Sequence, residues 1–480
     1  MTDIDHQELG IQRQLRLRKE QIERIQEASL EIMAEVGMRF YDEEALNLFE
    51  QAGAEVTDGN LVRIPSQLVA WALEVAPKKI TIYNRHGERA MELGGHRTYF
   101  GVGSDCMHVY DLVSGERRKA VLDDVATGVR LVDGLPNIDF VMSMFMPSDV
   151  PLDMHERHQM AIMLRETDKP IVFVGEEEAS TVYATKMAAA VAGSMDQLSE
   201  HPFVINYVQT VSSFRHNEDS LRRLIYAAER NIPSIYSPGN TCGILSPVTT
   251  TGAMALTNAG QLGGLVLTQL KREGAPFIRG NPNPERMDLR TMVSLYGAPD
   301  SGPFGWDLAH HQGLPIFGAA GCSDAKVFDA QAAAEASLTL FANAIGGANL
   351  IHDIGYLDSA MTGSLELVAF CDEVIGWLKR YLRPPEVNSD TLALDVIKER
   401  GPDGTFLDTE HTLDHMREDW MPSLMDRFEF NRWSDKGRST LQERANEKVR
   451  QILEDHTPKS LPEDAAEAIE AILAGEGKGN

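Results

Sequence analysis

Cysteine is scarce in this chain. Only Cys106, Cys242, Cys322 and Cys371 occur in 480 residues, and no two form a CxxC pair. They provide no disulfide framework and fit a reducing compartment. No hydrophobic run approaches the length that spans a bilayer. The opening MTDIDHQELG is polar and acidic, unlike a secretory signal. Positive charge is also short: 45 Lys and Arg face 72 Asp and Glu, a formal net charge of −27. Such a surface repels nucleic acid and anionic membranes, so neither is an expected partner. A cytoplasmic location and a homo-oligomer are expected. Hydrophobic residues make up 43% of the chain, enough for a large core at this length.

The amino-terminal part alternates short helices and hairpins. Residues 11–36 read as an amphipathic helix, with Leu15, Ile22, Ile25, Leu30 and Met33 near one stripe, ended by Gly37. Asp42–Gln51 reads as a second helix. Asp58-Gly59 between apolar residues is a strong hairpin signal. Ser66 can cap a helix to about Val75, and Lys79–Leu93 alternates around a turn at His86-Gly87.

From there a pattern repeats. Eight apolar or β-rich runs each end in polar or glycine-rich residues: Thr98–Asp105, Asp139–Asp149, Pro170–Glu176, Phe203–Gln209, Pro233–Asn240, Pro276–Asn283, Pro315–Asp324 and Asn349–Tyr356. Helical patterns separate most of them. This predicts an α/β chain: a (β/α)8 TIM barrel over 97–384, a small α+β amino-terminal subdomain over 1–96, and a helical carboxyl-terminal extension over 385–480. The tail from Pro458 is Ala/Glu/Gly-rich and reads as frayed. A doubly wound open sheet is the alternative, but Gly101-Val102-Gly103 is a poor phosphate turn.

Barrel ligands bind where strands end. The stretch Gly346–Asp358 shows the pattern well: an apolar strand breaks off at His352 and Asp353 before the next helix. Tyr99, Gln209, Asn240, Asn281 and His352 are expected to converge at one mouth. The tips are rich in amides, aromatics and acids, and poor in phosphate-binding cations and nucleophiles. That mixture suits a small organic cation, which aromatic faces attract. Tyr99, Tyr236, Phe304 or Trp306 with an acid such as Glu176 would face the cation. His352, with Arg279 or Asn206, would hold a carboxylate at the ligand's other end.

No metal is expected on this chain. His411 and His415 have helical i,i+4 spacing, but the sequence offers no third ligand nearby. Cys242 and Cys322 lie near strand tips without a His partner, and read as buried small hydrophobes.

Longer stretches carry a resemblance. PFIRGNPNPERMDLRTMVSLYGAPD, HHQGLPIFGAAGCSDAKVFDAQAAAE, IPSQLVAWALEVAPKKITIYNRHG and HTLDHMREDWMPSL together resemble the trimethylamine:corrinoid methyltransferase family. The likeness covers nearly the whole chain. The sequence has no pyrrolysine, so it resembles the branch whose members demethylate quaternary amines such as glycine betaine. The resemblance implies transfer of a methyl group to Co(I) of a separate corrinoid (cobalamin) protein, the cognate partner. It implies no cofactor on this chain, and no Asp-x-His-x-x-Gly corrinoid motif occurs. A quaternary ammonium already carries a good leaving group, so no acid, base or metal is required.

Two other classes remain open. A barrel lyase or aldolase of a small carboxylate would need a Schiff-base Lys or metal ligands at the strand tips, and neither is evident. A non-catalytic betaine-binding protein would keep the pocket without turnover.

Overall fold

The computed structural model describes residues 4–5, 15–299, 304–418 and 420–475. The first helix runs from Lys19 to Glu31 and continues as a π turn, Ile32–Val36, before Gly37. Its expected first residues, 11–14, lie outside the described set. Asp42 caps the helix Glu43–Gln51 by accepting from Ala45 N. Ser66 is the first helical residue of Ser66–Val75 and provides no side-chain cap; Pro65 precedes it with extended backbone. Asp58 and Gly59 both take positive φ, 48° and 80°, which the tight turn between Glu55–Thr57 and Leu61–Arg63 requires.

The central strands are parallel, as their apolar character on both faces implies. Ile171–Val174 pairs with Val204–Thr210, that with Ser234–Pro238, and that with Phe277–Arg279. A bridge from Arg279 to Ile316 leads to Phe317–Ala319, which pairs with Leu350–Ile354, which pairs with Arg97–Val102. Bridges Gly101 to Phe140 and Val141 to Ile171 lead back to the start. The second expected strand, Asp139–Asp149, is thus held only by isolated bridges. Met144 sits there at φ 59°, which breaks regular pairing. Between the strands lie helices Leu122–Gly134, His155–Glu166, Glu178–Ala192, Glu218–Glu229, Thr250–Lys271, Phe304–Gln312, Ala330–Gly346 and Leu365–Leu382. Among the described residues, no helix is long and apolar enough to cross a membrane.

Packing continues on both sides of the central strands. Met33, Phe40 and Phe49 share a buried cluster with Leu262 and Val266 of the long helix. Ala445, Val449 and Ile469 join the main core. The tail therefore departs from expectation: Glu463–Leu473 is a helix, because Ala465 and Ile469 recur at helical spacing and bury one face. Within the carboxyl-terminal extension, Glu410–His415 and Phe430–Asp435 are short helices.

The hairpin Ile80–Tyr83 with Arg89–Leu93 has a particular place. Its Ile80, Ile82, Met91 and Leu93 pack in one buried cluster with Tyr99, Val172, Ile205, Ile235 and Leu350, residues early in the parallel strands. It closes the amino-terminal end and leaves the carboxyl ends for chemistry. Leu93 is fully buried. Leu93→Ala is expected to cost about 2–5 kcal/mol, read from the urea unfolding midpoint. A loss below about 1 kcal/mol would contradict a closing role.

Candidate active site at the strand ends

Strand alternation decides which tip residues face inward. One rung above the closed end, the register sets Val174 beside Tyr207, and Ala319 beside His352; above them Gln209 stands beside Ser237. Tyr207 belongs to the inward cluster and Phe317 stacks on His352 at 3.9 Å between centroids. Tyr207 meets His352 edge-on at 5.9 Å.

Asn206, Tyr236 and Arg279 are each one residue out of step with that face, and all three leave the expected site. Asn206 Nδ2 donates to Ser234 Oγ at 3.3 Å and to the Arg223 carbonyl at 3.4 Å. The Tyr236 hydroxyl meets His216 Nδ1 at 2.6 Å. Arg279 is fully buried and donates to Gln261 Oε1 and Gln312 Oε1 on the helices. Burial without a carboxylate partner draws its pKa down to about 9.

Tyr99 faces inward but lies in the closed layer, where its hydroxyl accepts from Glu92 N at 2.9 Å. Phe304 faces Arg16 at 4.7 Å, and Trp306 is buried against Gly318 and Gly346 on the helical side. Asn240 and Asn281 stay near the strand ends but tie loops together. Asn240 Nδ2 donates to the Asn283 carbonyl at 2.8 Å, and Asn281 Oδ1 accepts from Asn283 N at 3.0 Å. Gln209 donates from Nε2 to the Tyr207 hydroxyl at 2.7 Å. Glu176 is exposed, and its charge acts on Asp105.

The centre of the site is Asp353, at the end of Leu350–Ile354. Its Oδ2 accepts from the Tyr296 hydroxyl and lies 3.1 Å from His352 Nε2. His352 Nδ1 faces the Gly318 carbonyl at 2.7 Å. Both ring nitrogens thus face oxygens. Asp353 has φ 74° and Asp105 has φ 71°, left-handed backbone that is uncommon for a side-chain-bearing residue and concentrates at functional sites. A Cβ on Gly103 would overlap Asp353 Oδ1 and the Tyr356 hydroxyl, so only glycine lets the first strand approach this closely. The Tyr356 hydroxyl donates to the Ser104 carbonyl.

Burial raises the pKa of Asp353, while His352 and the Tyr296 bond pull it back. Burial likewise raises Asp105, opposed by Ser104 and His155 and reinforced by Glu176 and Asp353. The hydroxyls of Tyr207, Tyr296 and Tyr356 are all pushed up by burial, so they remain neutral at physiological pH. The arrangement is two acids among neutral aromatic hydroxyls, and no Lys or Arg is among the described partners of either acid. Burial also pushes up the thiols of Cys242 and Cys322.

Tyr296 and Asp353 were absent from the expected site residues. Tyr296 comes from the excursion between Phe277–Arg279 and Phe304–Gln312, which has no periodic signal. Asp353 is next to His352 and alternation would turn it away; its positive φ turns it back.

A carboxyl whose pKa is raised by folding binds its proton more tightly in the folded chain. Stability therefore falls as pH rises from the ordinary carboxylate value through the raised one. Asp353→Asn should remove that loss, so the variant gains on the wild type as pH rises from about 4 to about 8. Urea midpoints across that range would show it; parallel profiles for the two proteins would contradict it.

Comparison with known proteins agrees along the whole length. The family described as trimethylamine methyltransferase (MTTB) matches residues 5–477. The trimethylamine methyltransferase MttB of Desulfitobacterium hafniense (strain DSM 10664 / DCB-2) is 32% identical over 459 residues, covering 95% of this chain and 92% of that protein. The glycine betaine methyltransferase of Desulfitobacterium hafniense (strain Y51) is 29% identical, covering 96% and 97%. Among solved structures, the hydroxylamine complex of MtmB superposes with a TM-score of 0.50 at 10% identity, covering 98% of this chain and 91% of that one, a likeness of fold alone. With a family match over nearly every residue and a relative above 30% identity, the chain belongs to the trimethylamine methyltransferase (MTTB) family.

Proposed function

We propose that the chain takes a methyl group from a quaternary amine of the betaine class and presents it to a corrinoid protein. The observation that carries this reading is the pairing of buried Asp353 with half-buried Asp105, set among Tyr207, Tyr296 and Tyr356 with no Lys or Arg partner among the described residues. A small cation with an apolar rim satisfies such a site, through the carboxylates and the aromatic faces together. The region 97–384 would be a (β/α)8 barrel bearing the site, with 1–96 and 385–480 as its supports. In the same reading a corrinoid on the partner is the methyl acceptor and supplies the nucleophilic cobalt, while this chain provides position and environment.

A betaine is a zwitterion, and the site contains a pair of matching sense. His352 and Asp353 face each other at 3.1 Å. The ligand carboxylate would accept a hydrogen bond from His352, and the ligand ammonium would lie against the Asp353 carboxylate. One internal pair is exchanged for two external ones, which keeps the buried charges compensated. Tyr207 and Phe317 hold the imidazole ring from two sides, which would fix the carboxylate end of the ligand. The leaving tertiary amine is neutral, so attraction to the ammonium fades along the reaction. An acid that shares its charge with His352 limits how firmly the ground state is held. The family also contains trimethylamine enzymes; the His352–Asp353 pair is what favours a zwitterion over a simple amine here.

Losing a charge-assisted bond costs about 1.5–3 kcal/mol, roughly one to two decades in affinity. His352→Ala should weaken glycine betaine by that amount and choline, which lacks the carboxylate, by less. Asp353→Asn should weaken both alike. Calorimetry with the two ligands separates these outcomes. Equal losses for both ligands in His352→Ala would remove the carboxylate role. In a turnover assay, demethylation should require an added corrinoid protein; demethylation by the purified chain alone would defeat the proposed acceptor.

A further inference from the structure

The segment between the helix ending at Leu382 and the helix starting at Leu441 contains short pieces that bury little. Ser389–Leu392, Leu394–Arg400 and Glu410–His415 contain 4, 7 and 6 residues, and none of them buries a side chain. Helices this short are marginal in water and need something beyond their own hydrogen bonds. Hydrophobic burial does not supply it here.

A side-chain cluster does bridge two of these pieces. His411 and His415 lie on one face of Glu410–His415 with their rings 4.3 Å apart. Asp390, on the separate helix Ser389–Leu392, reaches them, so one potential ligand atom from each residue lies within 4.8 Å of the others. It supplies the third group that spacing alone did not offer. His415 Nε2 lies 3.3 Å from Asp390 Oδ2. Two atoms each about 2.0–2.1 Å from a shared tetrahedral centre sit about 3.3 Å apart, so this edge already has metal-site dimensions. On its other side, His415 Nδ1 meets Glu418 Oε2 at 2.8 Å. A carboxylate behind the imidazole fixes the tautomer and raises the basicity of the metal-facing nitrogen, as in carboxylate–histidine–metal arrangements. Asp408, Glu410 and Asp414 surround the cluster in sequence, which adds a field favourable to a divalent cation.

We propose that Asp390, His411 and His415 form a binding site for a zinc-like divalent transition ion, with Glu418 as the positioning residue behind His415. Two imidazoles and a carboxylate suit zinc, and a fourth position stays open to water. The ion would staple Ser389–Leu392 to Glu410–His415, replacing the missing hydrophobic burial by coordination. The site lies apart from Asp353 and is not needed for the methyl-transfer reading.

The full chain, stripped with a chelator and titrated with zinc alone, tests this. Wild type should take up one zinc per chain with a saturable isotherm. Glu418→Gln should weaken binding about 10- to 100-fold, and His411→Ala or His415→Ala by more. His86→Ala, exposed on the distant hairpin turn, should bind as wild type does. Amide hydrogen exchange across residues 389–415 should slow when zinc is added to wild type and not when it is added to His415→Ala. Zinc uptake unchanged in His411→Ala and His415→Ala, or exchange unaltered by zinc in wild type, would overturn the proposal and leave His415 as an ordinary ion-pair partner of Asp390.

Discussion

The site turns on one buried carboxylate. Asp353 ends a central strand, is only 3% exposed, and sits opposite a hydroxyl and an imidazole rather than a Lys or Arg. Burying a charge that is only partly compensated is expensive. Several neighbouring features follow from accommodating it. Gly103 leaves room for its oxygen, Tyr296 reaches in from a distant loop to donate to it, and left-handed backbone at Asp353 itself aims it toward the mouth.

The fold makes that position available. The hairpin Ile80–Tyr83 with Arg89–Leu93 fills one end of the strands with apolar side chains. The other end is therefore where polar groups can gather. On the helical side, Arg279 donates to Gln261 Oε1 and Gln312 Oε1, and the Tyr236 hydroxyl meets His216 Nδ1. The Arg279 contacts lock a strand to two helices, and the Tyr236 contact ties a central strand to the short strand Arg215–His216. His216, with burial dominant, is lowered to about 3 and stays neutral there.

The strands and helices were legible because their periodicities are clean and their ends are marked by Pro and Gly. The direction of tip side chains was less legible. In a parallel sheet covered by helices both faces are apolar, so alternation carries no inside–outside label. Asn206, Tyr236 and Arg279 look like site residues in sequence and point to helices in space. His352 and Gln209 share the alternation of their inward neighbours Leu350 and Tyr207. Tyr296 could not be found, since it lies in an irregular excursion. Asp353 could not be aimed, since nothing in the letters shows a positive φ after a strand. Asp390 was missed as a partner of His411 and His415 because 21 residues separate it from His411.

The central claim is that a raised, buried acid receives the ammonium of the substrate. A cation bound beside such an acid favours its ionised form, so binding must expel a proton wherever the acid is still partly protonated. Calorimetric titration of glycine betaine in two buffers of different ionisation enthalpy measures that proton directly. The account predicts net proton release in mildly acidic solution that is lost in Asp353→Asn. Binding with no proton exchange in either buffer, or release that persists in Asp353→Asn, would contradict it.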